Sequence, residues 1–253
     1  MIRIKGLCKS FGNHLVLDHL SLDIRKGETM VIIGQSGCGK SVLLKHIVRI
    51  LEPDEGEIWI DGQNIGRLNR KALNALRMKI GVLFQEGALF DSLTVGENVG
   101  FLLLEHSKMR REEIFRCVRE KLEMVGLKGI ENLFPIELSG GMKKRVGLAR
   151  AICANPQIIL YDEPTTGVDP IMAAVINDLI RKLHNQLKVT SVVVTHDIAS
   201  AYKIADRIAM LYQGRIIAVG SPKEIKESSN PFVQQFIKGE KEGPIGSNSI
   251  SSR

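Results

Sequence analysis

Cysteine is scarce and scattered: Cys8, Cys38, Cys117 and Cys153 are the only four in 253 residues, and no two stand in C-x-x-C spacing. That pattern speaks against a disulfide framework and against a zinc site, and the thiols read as reduced cytosolic thiols. Long apolar runs are missing too. No stretch approaches the about 18 apolar residues of a membrane-spanning helix, and the start, Met1-Ile2-Arg3-Ile4-Lys5, goes straight into strand-like alternation rather than an export signal. The expectation is a soluble or peripheral protein. There is no internal repeat. The formal charge is +7, yet no block of like charge singles out nucleic acid, so a nucleic-acid partner is not expected; a basic surface favours nucleotides or acidic headgroups.

What is present suits one large domain or a domain with an insertion: 44% hydrophobic and 25% charged residues over this length support a sizeable core. The N-terminal part reads as short strands, Ile2 to Leu7, Leu15 to Leu17 and Leu20 to Ile24, separated by Gly12-Asn13 and Lys26-Gly27 turns. Pro53-Asp54-Glu55-Gly56 reads as a turn before a strand at Glu57 to Ile60, and Leu68 to Met78 as a short helix before a strand at Ile80 to Phe84. From 86 to about 155 strand signals stop and helical periodicity takes over, clearest at Val95 to Leu104 and Glu112 to Val125; this predicts a helical subdomain inserted into a sheet domain. Strands return at Ile158 to Tyr161 and Ser191 to Thr195, with a helix at Ile171 to Leu187 between them, a βαβ unit of a parallel sheet. A hairpin at 208–219 follows, and the Gly-, Ser- and Asn-rich tail after Gly239 reads as flexible or partner-contacting.

Eight residues organise the chain: Gly34, Gln35, Ser36, Gly37, Cys38, Gly39, Lys40 and Ser41 match G-x-x-x-x-G-K-[ST]. A β-branched run, Met30 to Ile33, precedes them and a helical pattern follows, which is the context a phosphate-binding loop needs. Glycines let the backbone adopt φ > 0 and approach a polyphosphate, its N–H groups form an anion nest, and the helix N-terminus adds positive potential. Lys40 is placed to reach the β- and γ-phosphates and Ser41 to ligate Mg²⁺. Cys38, inside the loop, reads as a small residue that a tight turn tolerates.

Two carboxylates, Asp162 and Glu163, follow the apolar strand Ile158 to Tyr161. Parallel sheets bind ligands at that edge. Asp162 suits the Mg²⁺ shell, and Glu163 suits the general base that polarises water. His196 and Gln85 end two further strands; the histidine is placed to sense the γ-phosphate, the glutamine to contact Mg²⁺ or the water. Leu138-Ser139-Gly140-Gly141-Met142 opens a second helix with an anion-binding start. With one phosphate loop per chain, the economical reading is that this helix start meets a phosphate held by a second copy.

These elements together resemble the ATP-binding-cassette (ABC) ATPases, over Ile2 to about Lys238. The resemblance implies a RecA-like parallel-sheet core, an N-terminal antiparallel β-subdomain and the inserted helical subdomain, as one ATPase domain over 1–238 with a tail over 239–253. It matches Phe11 to the residue that stacks on adenine, 34–41 to Walker A, Gln85 to the Q-loop and Ser139, Gly140 and Gly141 to the signature. Asp162 and Glu163 match Walker B and the catalytic glutamate, Asp169 the D-loop and His196 the switch histidine. Met142 departs from the usual glutamine. The implied assembly is a head-to-tail homodimer that sandwiches two ATP and drives an integral-membrane permease from the cytoplasmic face of the bacterial inner membrane.

The stretch from Leu83 to Val95, the methionine after the second signature glycine and the Gly243-Pro244 ending resemble the ATPases of Mla-type, MCE-associated phospholipid transporters. That likeness implies phospholipid transport between membranes, with MCE-type and small regulatory subunits as further partners. Three other readings stay open from the residues: a polar amino-acid importer's ATPase, a soluble ABC protein of translation or DNA repair, and a small-molecule kinase. Leu89, Phe90 and Leu93 fit a permease groove or the core equally.

Overall fold

The computed structural model describes residues 2–85 and 87–246. Glu86, the first residue of the expected helical subdomain, and the last seven residues of the expected tail lie outside them.

The centre is a six-stranded sheet. Its parallel strands are β3 (Thr29–Ile33), β6 (Ile80–Leu83), β7 (Ile158–Asp162), β8 (Thr190–Thr195) and β9 (Arg207–Tyr212). With β10 (Arg215–Gly220) antiparallel at one edge, the order is β10-β9-β3-β8-β7-β6. Residues of β3, β7 and β8 are buried on both faces, which is why these strands read as continuous apolar runs. Alternation then sends Met30 and Ile32 to one side and Val31 and Ile33 to the other.

On the Met30 side lie α1 (Lys40–Ile47) and a four-stranded antiparallel sheet: β1 (Ile2–Phe11), β2 (His14–Ile24), β4 (Glu55–Ile60) and β5 (Gln63–Asn64), in the order β2-β1-β4-β5. The helix α2 (Arg70–Arg77) leads into β6. On the Val31 side lie α3 (Val95–His106), α4 (Arg111–Met124), α5 (Gly140–Ile152) and α6 (Pro170–Leu187). The helices α3, α4 and α5 pack on one another between β6 and β7, and α5 also packs on β6, so their apolar side chains share one core with this face of the sheet. Glycine permits that contact: a Cβ on Gly81 of β6 would strike the Ala151 carbonyl of α5.

Four local readings are corrected. The two short strands at 15–17 and 20–24 are one strand, β2, interrupted at His19, whose φ of 47° shifts the register against β1. The turn at 53–56 ends early: Glu55 and Gly56 already belong to β4, where Gly56 at φ 89° passes so close to the Gly6 carbonyl that a side chain would collide. Three short helices go beyond the expectation: α7 (Ile198–Ile204) between β8 and β9, and α8 (Pro222–Lys226) and α9 (Pro231–Lys238) after β10. And the first residues after Gly239 are held. Ile245 is buried, its N–H donates to Gln235 Oε1 at 2.7 Å, and Gln235 Nε2 donates to the carbonyls of Ile245 and Glu240, both at 3.2 Å.

Candidate functional site

Parallel register brings the carboxyl ends of four strands to one edge. Ile33 pairs with Thr195, Asp162 with Val194 and Leu83 with Tyr161. The residues that follow, Gly34, His196, Glu163 and Gln85, therefore leave the sheet along the same rim, which is where open parallel sheets bind ligands.

The loop over 34–41 connects β3 to α1. Gly34, Gly37 and Gly39 have φ of 158°, 80° and 104°. A Cβ at Gly34 would hit the Leu211 carbonyl and come within 2.8 Å of Cys38 Sγ, and one at Gly39 would press on Val16 and Leu17 of β2. Gln35 and Ser36 are exposed on the loop, and Cys38 N–H donates to the Gln35 carbonyl at 3.3 Å. Burial pushes the Cys38 thiol up from its ordinary value, so it is no ready thiolate. The Lys40 ammonium, only 5% exposed, donates to the carbonyls of Gly34 (2.8 Å) and Gln35 (2.9 Å).

Across the rim, Ser41 Oγ donates to Asp162 Oδ1 at 2.7 Å. Burial raises the Asp162 pKa above its ordinary value, against the pull of the Ser41 hydrogen bond. A hydroxyl and a buried carboxylate in contact form an all-oxygen pair that suits a hard divalent cation, so the residues fit Mg²⁺.

Glu163 is the hub. Its φ is 47°, a conformation that costs a non-glycine residue about 1–3 kcal/mol, and its N–H is tied to the Val194 carbonyl at 3.0 Å. Lys40 Nζ stands 3.4 Å from Oε1. His196 Nδ1 lies 2.9 Å from Oε2, and the Thr166 hydroxyl donates to the same oxygen at 3.1 Å. From α5, the Lys144 ammonium reaches the Glu163 carbonyl at 3.4 Å. Thr166 and Lys144 carried no reading in the sequence. Only the position of Thr166, three residues past the paired carboxylates, could have signalled it.

The remaining residues do not join this cluster. Gln85 is exposed just beyond β6, and no hydrogen bond links it to Ser41 or Asp162 among the described residues. Phe11 ends β1, 47% exposed, with Lys9 Nζ 5.6 Å from its ring centre. Its strand partner β2 is the one that packs on Gly39. Ser139 caps α5, accepting from Met142 N–H at 3.3 Å, and Gly140 and Gly141 form the first turn. Gly141 sits against Met172 of α6, whose N-cap is Asp169, accepting from Ile171 and Met172 N–H at 2.9 Å each. The Met142 side chain packs on the apolar core. Leu89 is partly buried there, while Phe90 is 47% exposed and rests on Phe101 at 4.8 Å between ring centres. The buried Asn98 pins this segment by accepting from Phe90 N–H at 2.8 Å and donating to the carbonyls of Phe90, Leu93 and Thr94 at 3.0 Å.

Comparison with known proteins follows the same lines. The ABC transporter family profile matches residues 17–166. The chain is 44% identical over 245 residues to a Mycobacterium leprae protein named "Probable ribonucleotide transport ATP-binding protein mkl", covering 97% of this chain and 71% of that one. It is 43% identical to the intermembrane phospholipid transport system ATP-binding protein MlaF of Haemophilus influenzae, covering 97% and 93%. Among solved structures, a dimeric ATP-binding cassette in a post-hydrolysis state with ADP and Pi superposes with a TM-score of 0.80 at 36% identity, covering 88% of this chain and 99% of that one.

Proposed function

The chain belongs to the ABC transporter family and is an ATPase, and from that premise we propose that it energises phospholipid transport between bacterial membranes. One observation carries the chemistry: Lys40, Ser41, Asp162, Glu163 and His196 meet on one sheet edge through contacts of 2.7 to 3.4 Å. The likeness to MlaF over 97% of the chain supports the cargo.

The proposal gives each residue a role, which the contacts at the rim support for Lys40, Ser41, Asp162, Glu163 and His196. The loop amides and Lys40 bind the β- and γ-phosphates of ATP, and Phe11 stacks on adenine. Ser41 and Asp162 would hold Mg²⁺, joined by Gln85 from the end of β6, and the ion would neutralise charge on the phosphates. Glu163 takes a proton from water as the water oxygen attacks the γ-phosphorus and ADP leaves. His196 orients Glu163 and reaches the γ-phosphate. Asp169 sets the start of α6, beside Gly141, where the second copy approaches. Ser139, Gly140 and Gly141 of one copy close on the ATP held by the other, a head-to-tail homodimer in keeping with the dimeric cassettes that the chain resembles. Closure on ATP and release after hydrolysis make a two-state element that a permease can follow.

Among the described residues no helix is long and apolar enough to cross a membrane. In the proposed assembly the chain acts peripherally on a membrane partner, at the cytoplasmic face of the inner membrane. MCE-type and small regulatory subunits complete the proposed assembly. The test is affinity capture of the tagged full chain from detergent-solubilised native membranes, with mass spectrometry of proteins and lipids. A permease recovered with phospholipid supports the proposal. An amino-acid permease overturns the cargo and leaves the ATPase standing. Ribosomes without a membrane protein overturn the transporter assignment.

A further inference from the structure

We propose that Cys8, His19 and Glu55 form a binding site for a transition-metal ion of the zinc class, on the four-stranded sheet and apart from the nucleotide rim. They come from three adjacent strands, β1, β2 and β4. Cys8 and Glu55 are direct register partners, and His19 lies opposite Cys8, between the pairs Leu7 with Leu20 and Lys9 with Leu17. One ligand atom from each, a thiol sulfur, a ring nitrogen and a carboxylate oxygen, converges to within 4.8 Å of the others. Bonds of about 2.0–2.3 Å around a tetrahedral zinc put ligand atoms under about 4 Å apart. Rotation of the exposed Glu55 side chain, with a small tilt of the His19 ring, would close the difference over the buried sulfur.

The surroundings prepare these atoms for an ion. The turn of the backbone at His19 aims its N–H at Cys8 Sγ, 3.2 Å away, which ties the second strand to the sulfur. Asp18 Oδ1 lies 2.7 Å from His19 Nδ1, and Arg215 Nε anchors the same carboxylate at 2.7 Å. A carboxylate that holds the Nδ1 proton orients the ring and leaves the Nε2 lone pair for a metal, the arrangement that supports histidine ligands in zinc sites. One sulfur, one nitrogen and one oxygen suit zinc-class ions rather than Mg²⁺ or Ca²⁺, which take oxygen alone. Three protein ligands leave a fourth position to water, and two exposed ligands make the ion exchangeable. The strand β1 runs on from Cys8 to Lys9 and Phe11, and Lys9 Nζ bonds Asp54, next to Glu55, at 2.7 Å. A bound ion therefore ties together the base of the hairpin that carries Phe11.

The experiment titrates the chelator-stripped full chain with Co²⁺, then competes with Zn²⁺. The proposal expects one equivalent with a sulfur-to-cobalt charge-transfer band, bleached by Zn²⁺. Cys38→Ala should keep the band, Cys8→Ser should lose it, and His19→Gln, Glu55→Gln and Asp18→Asn should each weaken binding about tenfold or more. Absence of the band in the unaltered chain, or its survival in Cys8→Ser, overturns the site. The isosteric Cys8→Ser and the exposed His19→Gln leave the sheet core intact, and a far-ultraviolet circular dichroism spectrum checks this.

Discussion

Lys40 and Glu163 are paired with each other: the ammonium stands 3.4 Å from Oε1, and both side chains are nearly fully buried. The cation proposed to bind phosphate and the carboxylate proposed to activate water thus share one ion pair. On the proposed roles, incoming γ-phosphate would compete for Lys40 and free Glu163 for water. The two residues should separate cleanly by mutation. Lys40→Ala should lose about 2–5 kcal/mol of nucleotide affinity, the range for truncating one partner of a buried charged contact. Glu163→Gln should keep affinity within a few-fold and lose about 10²–10⁴ in turnover. Titration calorimetry with ATP and a phosphate-release assay read the two effects; wild-type turnover in Glu163→Gln removes it from the base role.

Asp162 is held where burial disfavours its charge. Its folded pKa lies above the unfolded value, so it stabilises the fold at pH below the unfolded pKa, and that contribution is lost as pH rises through the folded pKa. At neutral pH the carboxylate costs stability in the metal-free chain. Asp162→Asn should therefore raise metal-free stability by about 0.5–2 kcal/mol while abolishing Mg²⁺-dependent hydrolysis. Urea denaturation in chelator, beside an ATPase assay, tests this. A variant less stable than the parent contradicts the electrostatic account.

His46, in α1, donates from Nδ1 to the Val42 carbonyl at 2.8 Å. Burial lowers its pKa below the ordinary 6.5, with Lys9 acting in the same direction and Asp54 against it. The sign is opposite to that of Asp162. The stabilisation is complete above the unfolded pKa and is lost as pH falls through the lowered folded pKa, at no more than about 1.4 kcal/mol per pH unit. Denaturation midpoints between pH 8 and 5 should show this slope, and His46→Gln should flatten it by up to one proton. An unchanged slope in the variant rules His46 out as its source.

Gly81→Ala places a methyl group against the Ala151 carbonyl, at the seam between β6 and α5. Overpacking of this kind costs about 1–3 kcal/mol. Because β6 leads to Gln85 and α5 begins at Ser139, hydrolysis should fall with stability. Chemical denaturation and turnover measured together test the link; full activity at lowered stability would separate the seam from the site.

Some of this molecule was legible in its residues. Strands buried on both faces announce themselves as apolar runs, so β3, β7 and β8 were placed to within a residue. The glycine loop, the carboxylate pair and His196 could be placed because each follows such a strand. Contacts that depend on register were not legible. Cys8, His19 and Glu55 look unrelated along the chain and meet only because three strands align and His19 interrupts one of them. Asn98 reads as one polar residue in an apolar helix, yet it holds the Phe90 to Thr94 segment through four hydrogen bonds. Composition also misled: the tail is rich in Gly and Ser, but one amide side chain, Gln235, fastens Ile245.

The central claim is that Ser139 of one copy closes on ATP held by Lys40 of another. Analytical ultracentrifugation of Glu163→Gln, with and without Mg·ATP, tests it most directly when repeated with Ser139→Arg added. The expected result is a dimer that forms only with nucleotide and contains two ATP, and a monomer that still binds ATP once Ser139 is replaced. A nucleotide-bound Glu163→Gln that stays monomeric, or a dimer indifferent to Ser139→Arg, would contradict it.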